Sequence, residues 1–292
     1  MKPFLRWAGG KQWLSHTLLR LVPGNDCTYY EPFVGGGSLF FARRPTRAVL
    51  GDINGRLTET YQVVRDLPHE LIAILSHWEN DESTYYTVRP TEFEDAVSRA
   101  AQVIYLNKTC WNGLYRVNRQ GKFNVPFGYN GRTVFSPEHL LEASAVLQSA
   151  SIVNGDFEQV LDTAIAGDFV YLDPPYTVLH SRNGFRQYNE KLFSWQDQVR
   201  LASTARELAR RGCFVVVSNA DNEGVVALYD GFFRQTLTRH SILSADPRAR
   251  RKTDEALLVS SDQLLLAEFE AERITANEHE HGHLGSGVSP SG

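Results

Sequence analysis

The chain predicts an α/β fold built on a parallel sheet, and three observations carry the prediction. Short apolar segments alternate with helical ones along most of its length. A glycine-rich turn, Glu31-Pro-Phe-Val-Gly-Gly-Gly-Ser38, separates an early strand from a helix. A later apolar strand runs straight into Asp173, Pro174, Pro175 and Tyr176. Alternation of this kind gives parallel strands with crossover helices and places ligands at the strands' carboxyl ends. In chain order, residues 11–22 read as a helix, and strands are expected near 28–32 and 48–52. Further strands are expected near 151–154, 169–172, 214–218 and 256–260, with a helix over 194–210 among the elements between them. The stretch 55–148 breaks the alternation and reads as largely helical. It is therefore expected to be an inserted recognition domain, dividing a catalytic domain into residues 1–54 and 149–270. The tail from 276 to 292, rich in His, Gly, Ser and Glu, is expected to be disordered.

The Asp173–Tyr176 segment has the residue types that methylation of an amine needs. The exocyclic amine of a base delocalises its lone pair into the ring, so it becomes nucleophilic only when hydrogen bonds draw its hydrogens out of that plane. Asp173 can accept one hydrogen and the carbonyl of Pro174 the other. Pro174 and Pro175 fix an extended backbone with no competing N–H, and Tyr176 can stack on the base. As residues alone, Asp-Pro-Pro is equally an ordinary strand end and turn.

The segment 28–54 supplies the expected partner of that reaction. Glycines between a strand and a helix let a ligand approach the backbone, and an acidic residue about 20 positions on can bind ribose hydroxyls. Asp52 ends the next strand and fits that role. The pattern Phe33-x-Gly35-x-Gly37 differs from the GxGxxG of dinucleotide enzymes and favours S-adenosylmethionine over NAD.

Composition narrows the classes further. With 292 residues, of which 42% are hydrophobic, the chain can bury a sizeable core. No apolar run is long enough to span a bilayer, and Lys2, Arg6 and Lys11 interrupt the N-terminal apolar residues, unlike a signal peptide. A cytoplasmic protein with no membrane partner is expected. Cys27, Cys110 and Cys213 are dispersed and indicate neither disulfides nor a zinc site, so no metal is expected. None follows a proline, as the nucleophile for methylation at a cytosine ring carbon typically does, so direct attack by an amine is expected.

The net charge of −4 argues against nucleic acid only as a sum. Between 107 and 132 lie Lys108, Arg116, Arg119, Lys122 and Arg132 with no acidic residue, interleaved with Trp111, Tyr115, Phe123, Phe127 and Tyr129. Cations with flat rings suit phosphates and bases. Strand-like ends around Arg119-Gln-Gly121 predict a β-hairpin, and a two-stranded ribbon can enter the major groove of duplex DNA. A second basic cluster is Arg248-Ala-Arg-Arg-Lys252, whose bland reading is a solvated face.

The ordered set of motifs resembles the Dam-type, D12 class of DNA adenine N6-methyltransferases. It comprises Pro3-Phe-Leu-Arg-Trp-Ala-Gly-Gly-Lys11, the turn from Glu31 to Phe41, Gly51-Asp-Ile-Asn54, Asn112-Gly-Leu-Tyr-Arg116, Gly121-Lys-Phe-Asn-Val-Pro-Phe-Gly128, Asp173 to Tyr176 and Arg251-Lys-Thr-Asp-Glu255. The resemblance implies a Rossmann-like S-adenosylmethionine-dependent methyltransferase sheet and a site-specific activity on duplex DNA. It implies cofactor contacts from Trp7, Lys11, Phe33, Gly35, Asp52, Asp156 and Asp173. As residues alone, Trp7 reads as a core aromatic, Lys11 as a cation at a helix start and Asp156 as a helix N-cap. It further implies that Arg116 reads a guanine, that Asn112 contacts the opened site, and that Trp111 takes the place of a wedging aromatic. Lys122, Pro126, Tyr129, Arg251 and Lys252 are expected as further DNA contacts. GATC is the leading candidate site, and a restriction endonuclease acting on that site is a candidate partner. Cytosine N4, RNA adenine and protein amide remain alternative acceptors, and a silent DNA-binding protein is the alternative from another class.

Overall fold

The computed structural model describes residues 1–24, 26–113, 116, 118, 122–128, 134–176, 193–240 and 252–261. The apolar segments expected as strands all enter one sheet. Its strands are β1 (Tyr29–Glu31), β2 (Ala48–Asp52), β3 (Ala150–Asn154), β4 (Phe169–Leu172), β5 (Phe214–Ala220), β6 (Phe233–His240) and β7 (Lys252–Val259). Their order across the sheet is β3-β2-β1-β4-β5-β7-β6. The first five in that order pair in parallel.

Three details depart from the sequence reading. β6, which lacks a strong apolar signal, was not expected, and β7 runs antiparallel to both β5 and β6. The sheet is therefore mixed. β6 is an edge strand whose pairing with β7 supplies what its own side chains do not, a case of context overriding propensity. Residues 11–22 contain a shorter helix than expected, α1 (Ser15–Leu21), preceded by turns.

The side chains alternate across the pleat and feed two cores. Tyr29, Leu50, Phe169 and Tyr171 face one layer. Tyr30, Val170, Leu172, Val215 and Val217 face the other. That second layer is closed by α8 (Phe157–Leu161) and α9 (Trp195–Arg211). In α9, Leu201, Ala202, Ala205 and Leu208 recur at helical spacing and are buried. Ser194 and Asp197 form a capping box at its start, and Gly212, with φ of 96°, ends it in the left-handed conformation. Gly51 in β2 is needed for close packing of α8, because a Cβ there would lie 2.4 Å from a Val160 methyl carbon.

On the first face lie α2 (Ser38–Arg43), α3 (Gly55–Asp66), α4 (Pro68–Leu75), α5 (Glu82–Val88), α6 (Ala96–Thr109) and α7 (Pro137–Leu147). Leu57, Leu71, Tyr85, Ile104 and Leu140 from these helices share a continuous core with the sheet residues. Full burial of each large apolar side chain contributes roughly 1.5–3 kcal/mol. Asn54, Asp81, Asp95 and Ser136 cap α3, α5, α6 and α7 through side-chain acceptors. Among the described residues, no helix is long and apolar enough to cross a membrane.

Candidate active site

The order of strand addition reverses between the parallel neighbours β1 and β4, with β2 and β3 on one side and β5 on the other, so the loops at their carboxyl ends diverge there. Such a switch point is where open α/β sheets leave a crevice for ligands. The β1 loop carries the glycine turn and the β4 loop carries Asp173.

Gly35 has φ of 45° and Gly37 has φ of 66°. A Cβ on Gly35 would stand 2.8 Å from a ring carbon of Trp7, so the indole lies directly against the turn. The segment carrying Trp7 is pinned by buried Asn107. Its Oδ1 accepts from the Arg6 N–H at 2.9 Å and its amide donates to the Arg6 carbonyl at 2.7 Å. Across the turn, Asp52 accepts from the N–H of Gly35 at 3.3 Å and from that of Asn54 at 2.9 Å. Burial pushes the Asp52 carboxyl up to about 6, although these N–H groups act in the opposite sense. The next residue, Ile53, is 72% exposed, an apolar surface beside the Asp52 carboxylate. Phe33 packs against Phe157 and Phe193. Asp156 is the N-cap of α8 with Gln159 completing a capping box, and its carboxylate also pairs with Arg200 at 2.7 Å. The capping role read from its sequence position is thus present.

Asp173 lies where β4 ends, and it is the centre of a buried polar cluster. Its Oδ1 accepts from Ser218 Oγ at 2.7 Å and is 3.1 Å from Lys11 Nζ. Lys11, only 5% exposed, also lies 3.5 Å from Glu255 Oε2. Its ammonium sits 4.5 Å from the centroid of the Tyr176 ring, a cation–π contact. The Tyr176 hydroxyl donates to Glu255 at 3.1 Å. Burial raises the Asp173 carboxyl above its ordinary value, while Lys11 and Ser218 act in the opposite sense. The backbone behind it is held by Gln198, whose amide donates to the Pro175 carbonyl at 3.3 Å and accepts from Asn219 at 3.0 Å. Ser218, Gln198 and Glu255 were not singled out in the sequence. Glu255 ends a motif whose basic members, Arg251 and Lys252, drew attention instead.

Glu31 is buried beneath this cluster. Burial, with a smaller contribution from Asp173, pushes its carboxyl up to about 8, while the Tyr29 hydroxyl donates to it at 2.8 Å. An unfolded glutamate titrates near 4.3, so the folded state favours the protonated form. The stabilisation that neutral Glu31 provides is complete below about pH 4 and is lost as pH rises through about 8. Glu31→Gln, which keeps an acceptor for Tyr29 and stays neutral at every pH, is expected to exceed the wild type in stability at pH 7 and by a wider margin at pH 9. Urea denaturation at both pH values checks this.

Among the described residues, the expected DNA contacts Trp111, Asn112, Arg116, Lys122 and Pro126 are exposed. Trp111 is 59% exposed and lies in a short turn, Trp111–Gly113, where Asn112 adopts φ of 56°. Asparagine tolerates that left-handed conformation better than most residues. The Trp111 N–H donates to the Pro126 carbonyl at 2.9 Å, and the Asn124 N–H to the Arg116 carbonyl at 3.2 Å. The Asn118 N–H donates to the Lys122 carbonyl at 2.8 Å. These antiparallel links hold Arg116 and Lys122 outward. Arg116 Nε is oriented by Asn124 Oδ1 at 2.9 Å, and Lys122 pairs with exposed Glu92. Lys108 departs from a solvated role, because burial and then Arg6 push its ammonium down to about 8. Tyr129 and Arg251 lie outside the described residues. Lys252 begins β7.

Comparison with known proteins bears on this geometry. Residues 7–242 match the D12 class N6 adenine-specific DNA methyltransferase family. The Type II methyltransferase M1.LlaDCHI of Lactococcus lactis subsp. cremoris is 35% identical, over 89% of this chain and 95% of its own. The Type II methyltransferase M.MjaIII of Methanocaldococcus jannaschii is 39% identical, over 80% of this chain and 89% of its own. The DNA adenine methylase of Serratia marcescens is 34% identical, over 88% of this chain and 97% of its own. The match spans both the glycine turn of β1 and the Asp173 loop of β4, so the chain belongs to the D12 class N6 adenine-specific DNA methyltransferase family and is an adenine-specific DNA methyltransferase.

Proposed function

We propose that this enzyme transfers a methyl group from S-adenosylmethionine to N6 of an adenine rotated out of a short duplex site, with GATC as the leading candidate. The observation that carries the reading is the Asp173 carboxylate, held beside the Tyr176 ring across the switch point from the glycine turn and Asp52.

The turn fits the donor's size and chemistry. The tight approach of Trp7 to Gly35 leaves no room for a side chain there, Asp52 suits ribose hydroxyls, and exposed Ile53 suits a flat purine. Trp7, Lys11, Phe33, Gly35, Asp52, Asp156 and Asp173 are the proposed cofactor contacts. When bound, S-adenosylmethionine supplies an electrophilic methyl group. The protein's own part is to hold the nucleophile: Asp173 and the Pro174 carbonyl accept the two amine hydrogens, and Tyr176 stacks on the base. Pro175 and Gln198 keep this loop from relaxing. Acceleration then arises from positioning and from negative charge beside N6 as it becomes positive. An adenine within a duplex cannot reach such a site, which is the reason for rotation out of the stack.

We assign DNA recognition to 55–148, with Trp111, Asn112, Arg116, Lys122, Pro126 and Tyr129, and to Arg251 and Lys252, the catalytic domain being 1–54 and 149–270. A cytoplasmic setting suits a DNA substrate, and the Type II names of two relatives support a restriction endonuclease as partner. Methylation-sensitive long-read sequencing of DNA treated with the protein tests the reading. N6-methyladenine confined to GATC is expected; another motif would replace that site, and N4-methylcytosine would overturn the target base. Arg116→Ala is expected to lower kcat/KM on the preferred site by about 10- to 100-fold and to relax one base pair of the motif, as read by methylation of single-substitution duplexes.

A further inference from the structure

We infer that Glu255 is a positioning residue for methyl transfer, serving as the counter-ion of Lys11 so that the charge of Asp173 remains available to the target amine. The inference rests on the proposed role of Asp173. Lys11 Nζ lies between two carboxylates, 3.1 Å from Asp173 and 3.5 Å from Glu255. With Asp173 alone, the ammonium would cancel the charge that the amine needs, and a cation would stand beside N6 as N6 itself becomes positive. With Glu255 present, the set holds two carboxylates and one ammonium, leaving an excess of negative charge beside the amine.

The fold supports this use of β7. Glu255 is 2% exposed and lies opposite Ala220 of β5 and Leu237 of β6, so antiparallel insertion of β7 between them carries the carboxylate to the edge of the β4 loop. A buried carboxylate is costly unless paired and hydrogen-bonded, and Glu255 meets both Lys11 and the Tyr176 hydroxyl. The ammonium also rests on the face of Tyr176. A base stacking on that face would displace Lys11 from the ring, and Glu255 is the carboxylate that can retain it.

The test separates charge from shape. Glu255→Gln keeps the length and an acceptor for Tyr176 but removes the charge, whereas Glu255→Asp keeps the charge on a shorter arm. Methyl transfer from S-adenosylmethionine to unmethylated bacterial genomic DNA is measured at saturating DNA and cofactor, with cofactor affinity and melting temperature alongside. The expected order of kcat is wild type, then Asp, then Gln, with Gln lower than wild type by about 10- to 100-fold and cofactor affinity retained. A Gln variant equal to wild type, with Asp the poorer, would assign Glu255 a packing role and overturn the inference. Glu255→Asp, which keeps the charge beside Lys11, decides the matter even if the Gln variant melts early. A kcat within about tenfold of wild type in Asp supports the inference, and a larger loss in a folded Asp variant that binds cofactor assigns Glu255 to shape and overturns it. Transfer by Asp173→Ala would be a separate failure, removing the reading beneath the inference whatever the Glu255 series shows.

Discussion

Asp173→Ala is expected to lower methyl transfer by at least about a thousandfold while DNA binding persists. The carboxylate sits at the end of β4 between Ser218 and Lys11, whereas Trp111, Arg116 and Lys122 belong to the exposed segment proposed for DNA. Its removal deletes the acceptor proposed for the amine hydrogen and the negative charge nearest the forming cation. It leaves Lys11 with Glu255, so the buried ammonium keeps a counter-ion and the fold should survive. Single-turnover transfer beside a gel-shift titration checks the prediction. Loss of both together, with a lowered melting temperature, would assign Asp173 a structural role.

The second large effect concerns Asp52. Asp52→Ala is expected to weaken S-adenosylmethionine binding by about 10- to 100-fold, as a hydrogen bond to a charged group contributes roughly 1.5–3 kcal/mol. Burial raises this carboxyl to about 6, against roughly 3.9 for an ordinary aspartate. Only the ionised form accepts from both ribose hydroxyls at full strength, so affinity should fall as pH falls through about 6 in the wild type and change little in Asp52→Ala. The effect on folding has the opposite sign. Neutral Asp52 favours the buried state, so its contribution is present below about pH 4 and is lost as pH rises through about 6. Calorimetric titration between pH 5 and 8 separates the two, because stability and affinity move in contrary directions across that range.

Much of the fold is legible in the linear chain because its signals are local. Strand β4 is four consecutive apolar residues, Phe169–Leu172, ended by a carboxylate and two prolines. The glycine turn declares itself because the left-handed backbone of Gly35 and Gly37 excludes nearly every other residue type. Helix α9 carries its capping box, its buried stripe and its terminal glycine within one continuous stretch. In each case the physical cause acts between residues close in sequence.

Strand β6 is different. Phe-Arg-Gln-Thr-Leu-Thr-Arg-His has little to mark it as a strand, and it becomes one through its partner β7. The same holds for the polar cluster. Tyr176 and Glu255 are 79 positions apart, Asp173 and Ser218 are 45 apart, and Arg6 and Asn107 are 101 apart. No local pattern distinguishes a glutamate that faces a buried lysine from one that faces water. The sequence by itself determined the α/β alternation, the glycine turn, Asp52 and the Asp173–Tyr176 loop, since backbone conformation and residue chemistry specify them over a few positions. Only the tertiary structure decided that Lys11 stands between two carboxylates and that Glu255 is one of them, because burial and charge pairing arise when β7 enters the sheet antiparallel beside β5.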